Sequence, residues 1–393
     1  MEASTVKNIL AYLEDQQESM IDFLKELVCL ESPSGDPSSQ DALLLLLTNE
    51  LRDLSFYTFR KPGKKTGGYL YSRPQNVDKS KKNQLLVGHC DTVWERDTLN
   101  KMPILSLDGK LTGPGVFDMK AGITQIIFAL KAIRDCDLDI PLTPLILINS
   151  DEEIGSIESK HAIARLSKIS NRAFILEPPL GLKGKLKTAR KGIGRFTVTV
   201  EGKAAHAGLD PGAGVNAIVE LSGLVQKLYA MNDFEKGITV NVGMIQGGVS
   251  PNVVAPISSA VVDVRVRTNE DGKLITKKIL GLKPSSEDIT LHIEGGIGRP
   301  PLERTERNQA LWHLARAKGT TIGIELEDAL AGGGSDGNTT SQFTATLDGL
   351  GTTGDGAHAV HEHIFIDELT QRTALLVLLL MADEVVHEKQ EVS

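Results

Sequence analysis

The chain has 393 residues, 40% hydrophobic and 24% charged, with a net charge of −8. That is long enough for two domains with substantial cores, and the acidic balance argues against a general nucleic-acid binder. Cys29, Cys90 and Cys136 have spacings that fit neither a disulfide framework nor a cysteine-rich zinc site.

The N-terminal stretch is amphipathic and acidic, without the positive segment and long apolar core of a signal peptide. Residues 5–30 show helical apolar spacing (Ile9, Leu10, Leu13, then Ile21, Leu24, Leu27, Val28), and a turn-rich break at Ser32–Ser39 precedes a second helix over 40–52. Strands are expected near 54–60 and 68–73, around a lysine-rich stretch (Lys61 to Lys82) whose interleaved Gly, Pro, Ser and Asn mark it as a solvated loop. Leu85, Leu86 and Val87 read as a buried strand ending at His89. A helix over 119–134 follows, then the continuous apolar run PLILINS (144–150), which suits a parallel strand covered on both faces. After a helix over 156–168, RAFIL gives another buried strand ending on Glu177.

Near residue 190 the texture changes. GIGRFTVTVEG alternates like a half-buried strand, and helix 213–230, strands 238–245 and 257–267, helix 271–282 and strand 288–294 follow. The order β-α-β-β-α-β is that of a ferredoxin-like split βαβ sandwich, so residues 189–300 form an inserted domain. The first texture then resumes with helix 306–318, strand 322–327, the loop AGGGSDGN, a short helix, strand 344–348 and helix 367–388. The main domain, residues 1–188 and 301–393, is therefore discontinuous. The apolar run Ala374–Ala382 falls short of the about 20 residues of a bilayer span. Neither membrane nor nucleic acid is an expected partner, and the expected location is cytoplasmic.

Three buried strands each deliver acids or a histidine at the C-terminal end, where ligands bind in open α/β sheets. His89 and Asp91 lie two apart, so in an extended chain they share a face. A metal-bound histidine usually donates its other N–H to a carboxylate. Asp118 stands in a Gly-rich loop before an apolar helix, and Asp151, Glu152 and Glu153 follow PLILINS directly. The candidate ligands are His89, Asp118, Glu152, Glu153, Glu177 and one of His358, His361 and His363. Such an imidazole and carboxylate set suits Zn2+, with Co2+ or Mn2+ as substitutes. Five ligands exceed the three that an open catalytic zinc keeps and suit two ions about 3.5–4 Å apart sharing a carboxylate. Adjacent side chains of the Glu152–Glu153 doublet diverge, so one can bind metal while the other shuttles protons. Gly332–Gly334 expose backbone N–H groups suited to an anion nest.

GHCDTV, GPGVFDMKAG, SDEEIGS, the Glu177 strand end, KAAHAG and GGGSDG occur in the order found in the M20 family of metallopeptidases. Over nearly its whole length the chain resembles that family, most of all its glutamate carboxypeptidase (carboxypeptidase G2-like) branch. Acetylornithine deacetylases and succinyl-diaminopimelate desuccinylases are close cousins. The resemblance implies an α/β catalytic domain with a mixed, largely parallel sheet sandwiched by helices, plus an inserted dimerisation domain. It implies two Zn2+ per subunit, with His89 and Glu177 on one, Glu153 and His358 on the other, and Asp118 bridging. Asp91 would orient His89, and Glu152 would act as general base and then acid. The peptide after Asp118 would be cis. In a homodimer, His206 would reach the partner's site to stabilise charge on the carbonyl oxygen. Asn252, Arg265, Arg299 and Gly333 would receive the substrate's carboxylate, for which a guanidinium fork is well suited. The implied reaction is hydrolysis of an amide bond beside a free carboxylate, releasing a glutamate-like C-terminal residue. N-acyl-amino-acid deacylation is the alternative. A non-catalytic binder would lack the base or a ligand, and neither is lost. A two-metal phosphoesterase would call for a Gly-rich loop with Lys and Ser/Thr, which is missing.

Overall fold

A computed structural model describes residues 3–384, and they divide into two compact units. One comprises the chain up to Thr188, then Arg304–Ala331, and the chain from Ser335 onward; the other comprises Ala189–Glu303 and Gly332–Gly334.

The first unit is built on a six-stranded sheet. Its spatial order is Phe56–Lys61, Tyr69–Pro74, Thr143–Asn149, Asn83–His89, Ser170–Ile175 and Ala345–Leu347. The last four run parallel, and the first two form an antiparallel hairpin joined antiparallel to them. Alternate residues of the apolar strands enter two different cores. Leu86, Ile146, Ile148 and Phe174 pack with the helices Ala121–Asp135 and Ile366–Leu380, while Leu85, Val87, Leu145, Leu147 and Ile175 pack with Ala162, Ile163 and Leu166 of the helix Lys160–Lys168. Both faces are covered, which is why these strands read as unbroken hydrophobic runs.

The three strands that deliver His89, the Asp151–Glu153 run and Glu177 are immediate neighbours, with the His89 strand in the middle. Neighbouring strands lie about 4.8 Å apart, so the sheet itself gathers these side chains. The helix Ala121–Asp135 packs tightly against the same edge. A Cβ on Gly122 would come within 2.0 Å of the Leu176 carbonyl oxygen and 2.9 Å of the Met119 Cε.

The second unit is a four-stranded antiparallel sheet in the order Thr239–Gly247, Ile257–Val266, Gly192–Glu201, Thr290–Arg299, with helices Ala217–Tyr229 and Asn269–Leu280. Phe196, Val198, Val200, Val262, Val264 and Val266 face the helix residues Leu221, Leu224, Leu228, Ile275 and Ile279. Only one sheet face is covered, hence the alternation in sequence. Asn216 and Thr268 cap the two helices, each accepting a first-turn N–H.

Several elements differ from expectation. The helix over 5–30 is two helices, Ala3–Asp15 and Gln17–Cys29, broken at Gln16, although Gln16 N–H still reaches the Tyr12 carbonyl. The strand expected at 322–327 lies at Asp328–Ala331, paired with an unforeseen strand at Leu186–Arg190. A small four-stranded sheet from Leu105–Leu107, Lys110–Thr112, Gly354–Asp355 and His363–Phe365 was also unforeseen, its strands being too short for a periodic signal. The helix after the acidic run starts at Lys160 because Asp151–Ser156 forms a tight turn first. The final helix is Ile366–Leu380, and residues 385–388 of the expected 367–388 lie outside the described residues. Among the described residues no helix is long and apolar enough to cross a membrane.

Gly122→Ala tests the close helix–strand approach. The gain in helix propensity is below about 1 kcal/mol, whereas overpacking against a backbone carbonyl costs about 1–3 kcal/mol. The variant is expected to unfold at lower urea concentration with an unchanged m-value.

Candidate metal centre

His89 ends the central strand and is 1% exposed. Its Nε2 lies 3.2 Å from Asp118 Oδ1 and 3.5 Å from Glu177 Oε1. The other Asp118 oxygen, Oδ2, lies 3.5 Å from His358 Nε2, which in turn is 3.2 Å from Glu153 Oε2. One carboxylate thus stands between two imidazoles, and each imidazole has a further glutamate beside it. All of these residues belong to the first unit. Ligand atoms of His89, Asp118 and Glu153 lie within 4.8 Å of one another, as do those of His89, Glu152 and Glu177. Adjacent Glu152 and Glu153 therefore diverge within the cluster. Of the three candidate histidines, His358 is the one paired with Asp118 and Glu153; His363 Nδ1 instead meets the His361 carbonyl at 2.9 Å, and its ring packs edge-on against Phe365.

Asp91 ties the cluster together from below. It is fully buried, and His89 Nδ1 meets both its backbone carbonyl at 3.0 Å and its carboxylate Oδ1 at 3.3 Å, which together orient that ring. Its two oxygens also accept the backbone N–H groups of Glu152 and Glu153, each at 3.2 Å, and the Ser34 hydroxyl at 2.7 Å. The Asp118 loop is held by Glu362, four residues after His358. Its carboxylate accepts the N–H groups of Gly115, Phe117 and Asp118 at 2.9–3.0 Å and the Trp94 indole N–H at 2.7 Å. The Asp118–Met119 peptide is cis.

Negative charge is concentrated at this site. Asp91, Asp118, Glu152, Glu153 and Glu177 crowd around two imidazoles. Burial opposes the charged form of His89, yet the Asp118, Asp91 and Glu177 carboxylates push its pKa well above the ordinary value. Asp118 and Glu153 push His358 up to about 10. Burial would raise Asp118, but the two imidazoles hold it well below the usual carboxylate range. Burial raises Glu153, and Glu153 Oε1 is a buried acceptor without a hydrogen-bond partner. A buried acceptor without a donor, inside a cluster of acids and imidazoles, fits a divalent cation with mixed N and O preference. His89, Asp118, Glu153, Glu177 and His358 are the groups placed to hold such ions.

The remaining expected residues, His206, Asn252, Arg265, Arg299 and Gly333, all lie in the second unit. His206 Nδ1 accepts the N–H groups of Gly208 and Leu209, both at 3.1 Å, which leaves the ring proton on Nε2. Asn252 sits on the adjoining segment, its carbonyl accepting Ala207 N–H at 2.9 Å and its side-chain oxygen accepting the Ser250 hydroxyl at 2.6 Å. Arg265 and Arg299 both stand opposite Ile193 on neighbouring strands, so they share one sheet face. Arg265 is bidentate to Asp263, at 2.8 and 3.1 Å. The Gly333 and Gly334 carbonyls accept from Arg190 at 3.4 and 3.2 Å.

A buried carboxylate-rich centre at the strand ends of an α/β sheet is the hallmark of metal-dependent hydrolases. Residues 188–282 match the family model described as a peptidase dimerisation domain. Carboxypeptidase G2 from Pseudomonas sp. (strain RS-16) is 30% identical over 385 residues, covering 93% of this chain and 90% of that protein. Succinyl-diaminopimelate desuccinylase from Azoarcus sp. (strain BH72) is 28% identical over 275 residues, 66% of this chain and 71% of that one. The aminopeptidase PepT from Bacillus cereus ATCC 10987 shares the fold, with a TM-score of 0.77 at 22% identity over 93% of this chain and 98% of that one. The chain belongs to the M20 family of metallopeptidases.

Asp91→Asn keeps the shape but loses one acceptor oxygen facing backbone donors. Metal affinity is expected to fall about 10- to 100-fold, measured by competition with a chromophoric chelator.

Proposed function

We propose that this chain is a di-zinc hydrolase that cleaves an amide bond beside a free carboxylate, releasing a glutamate-like C-terminal residue. The observation that carries the reading is the placement of Asp118, one oxygen toward His89 and the other toward His358, with Glu177 and Glu153 flanking. That is the arrangement a bridging carboxylate and two outer glutamates require. Bound there, a pair of divalent cations supplies Lewis acidity toward the scissile carbonyl and toward water.

The protein's own groups do the rest. Glu152 takes the proton of the attacking water and returns it to the leaving amine nitrogen. Asp91 holds the His89 ring and, through two backbone hydrogen bonds, the Glu152–Glu153 doublet. His206 offers Nε2–H toward the carbonyl oxygen as negative charge develops. Arg265, Arg299, Asn252 and the backbone at Gly333 receive the substrate's carboxylate. The second unit serves as the contact between two subunits of a homodimer, a reading supported by its match to the dimerisation domain. In that dimer His206 acts on the partner's substrate. Similarity to carboxypeptidase G2 supports the carboxypeptidase reading, and similarity to the desuccinylase supports N-acyl-amino-acid deacylation as the second.

A panel of folyl- and peptidyl-glutamates against N-acetyl- and N-succinyl-amino acids separates the two. Turnover is expected on the glutamates, and inertness toward all of them would exclude the first reading. Exhaustive chelation should abolish turnover, with zinc, cobalt or manganese restoring it. Glu152→Gln should keep its metal by elemental analysis while kcat drops about a hundred- to ten-thousand-fold; loss of metal would instead make Glu152 a ligand. Mixed after subunit exchange, His206→Ala and Glu152→Gln should recover part of the activity that each lacks alone.

A further inference from the structure

Asp336 plays no part in the reading above, yet it is a carboxyl group only 2% exposed. Its Oδ2 accepts the side-chain N–H of Asn149 at 2.6 Å, and its Oδ1 accepts the Ser156 hydroxyl. Asn149 is the last residue of the strand that feeds the acidic run. Ser156 closes the turn behind it, its N–H bonding the Asp151 carbonyl at 2.7 Å while Gly155 N–H bonds the Glu152 carbonyl at 2.8 Å. One carboxylate therefore grips the residues before and after the segment that carries Glu152 and Glu153. The grip is closed into a ring. Asn149 also donates to the Ser159 hydroxyl at 3.1 Å, and that hydroxyl donates to Asp151 Oδ1 at 2.6 Å.

A buried charge is expensive, and a buried ionic group is weak evidence for stability in itself. Two donors converge on opposite oxygens here, and a carboxylate offers two acceptors where an amide offers one. The doublet is then held on two sides. Asp91 accepts its N–H groups, and Asp336 fixes the path of the chain around it. We propose that Asp336, acting through Asn149 and Ser156, is a positioning residue that sets where the Glu152 and Glu153 carboxylates stand. The inference rests on the role given to Glu152 above. A displacement of about 1 Å at such a group can cost about a hundredfold in rate.

The test uses Asp336→Asn and Ser156→Gly in the full-length chain. Ser156 has φ +54°, a conformation glycine adopts readily, so its replacement removes the hydroxyl with little strain. The probe is the glutamyl substrate cleaved fastest in the panel. Asp336→Asn is expected to lower kcat about 10- to 100-fold with KM within about twofold and bound metal unchanged. Ser156→Gly should lower kcat about tenfold, and the double variant should be no slower than Asp336→Asn alone, because both cut one link. In the metal-free protein, the amides of Gly155 and Ser156 should exchange hydrogen faster in each variant, while exchange in the central strands is unchanged. Wild-type kcat in Ser156→Gly would overturn the proposal, as would a loss that tracks lost metal or lost folded protein. If Asp336→Asn does not fold, Ser156→Gly decides alone. Full activity in Glu152→Gln would overturn the reading of the base and the kcat losses expected here with it, whereas unchanged exchange at Gly155 and Ser156 in both variants would overturn the clamp itself.

Discussion

The Asp118 carboxylate, shared between two imidazoles, is the constraint on which the first unit depends. His89 arrives on the central strand, His358 from a loop late in the chain, and Asp118 from the turn before a buried helix. None of the three can shift without breaking the geometry at the other two. The loops that bring them are held by a recurring device, a buried carboxylate that accepts backbone N–H groups. Asp91 does this for the doublet and Glu362 for the Asp118 turn. Asp151 does it for Glu158 and Ser159. Each such carboxylate satisfies donors that a loop would otherwise leave unpaired. Asp91, Asp151 and Glu362 each lie beside a candidate ligand or its backbone, so the groups that order the loops adjoin the groups placed to hold cations.

The two units divide the chemistry. The doubly covered sheet of the first supplies dense packing on both faces, which fixes strand ends closely enough to hold a metal centre. The insert, with helices on one face only, leaves Arg265, Arg299 and Ile193 on the other. Its Arg265 is paired with Asp263 on the same strand, a more open arrangement than the tight clustering around Asp118.

Much of this was legible in the amino-acid order. Strands buried on both faces announce themselves as apolar runs, and their C-terminal residues could be read directly as candidates. The β-α-β-β-α-β order of the insert was equally visible, because its alternation differs from that of the flanking domain. What escaped were elements too short to have a period, such as Lys110–Thr112 and His363–Phe365. The break at Gln16 escaped because the apolar positions on either side of the polar stretch EDQQES (14–19) stay in helical phase with one another. Glu362 lies in a loop with no period of its own, and Asp336 is one letter of a glycine-rich loop. Their importance lies in which backbone N–H groups and side chains they meet, information that exists only once distant segments are folded together. The choice among His358, His361 and His363 had the same limit, since spacing permits each and only the third dimension brings one of them to Asp118.

Gly332–Gly334 group with the insert, whereas Ala331 and Ser335 on either side do not. The polypeptide therefore passes between units four times, not twice. Grafting residues 189–303 onto a related scaffold would transplant the module without Gly332–Gly334, two of which its own Arg190 grips through their carbonyls. Evolution of a new specificity by swapping this module would thus require matched change at a remote, very short stretch of gene. Recombination breakpoints that respect only the two obvious seams would be disfavoured.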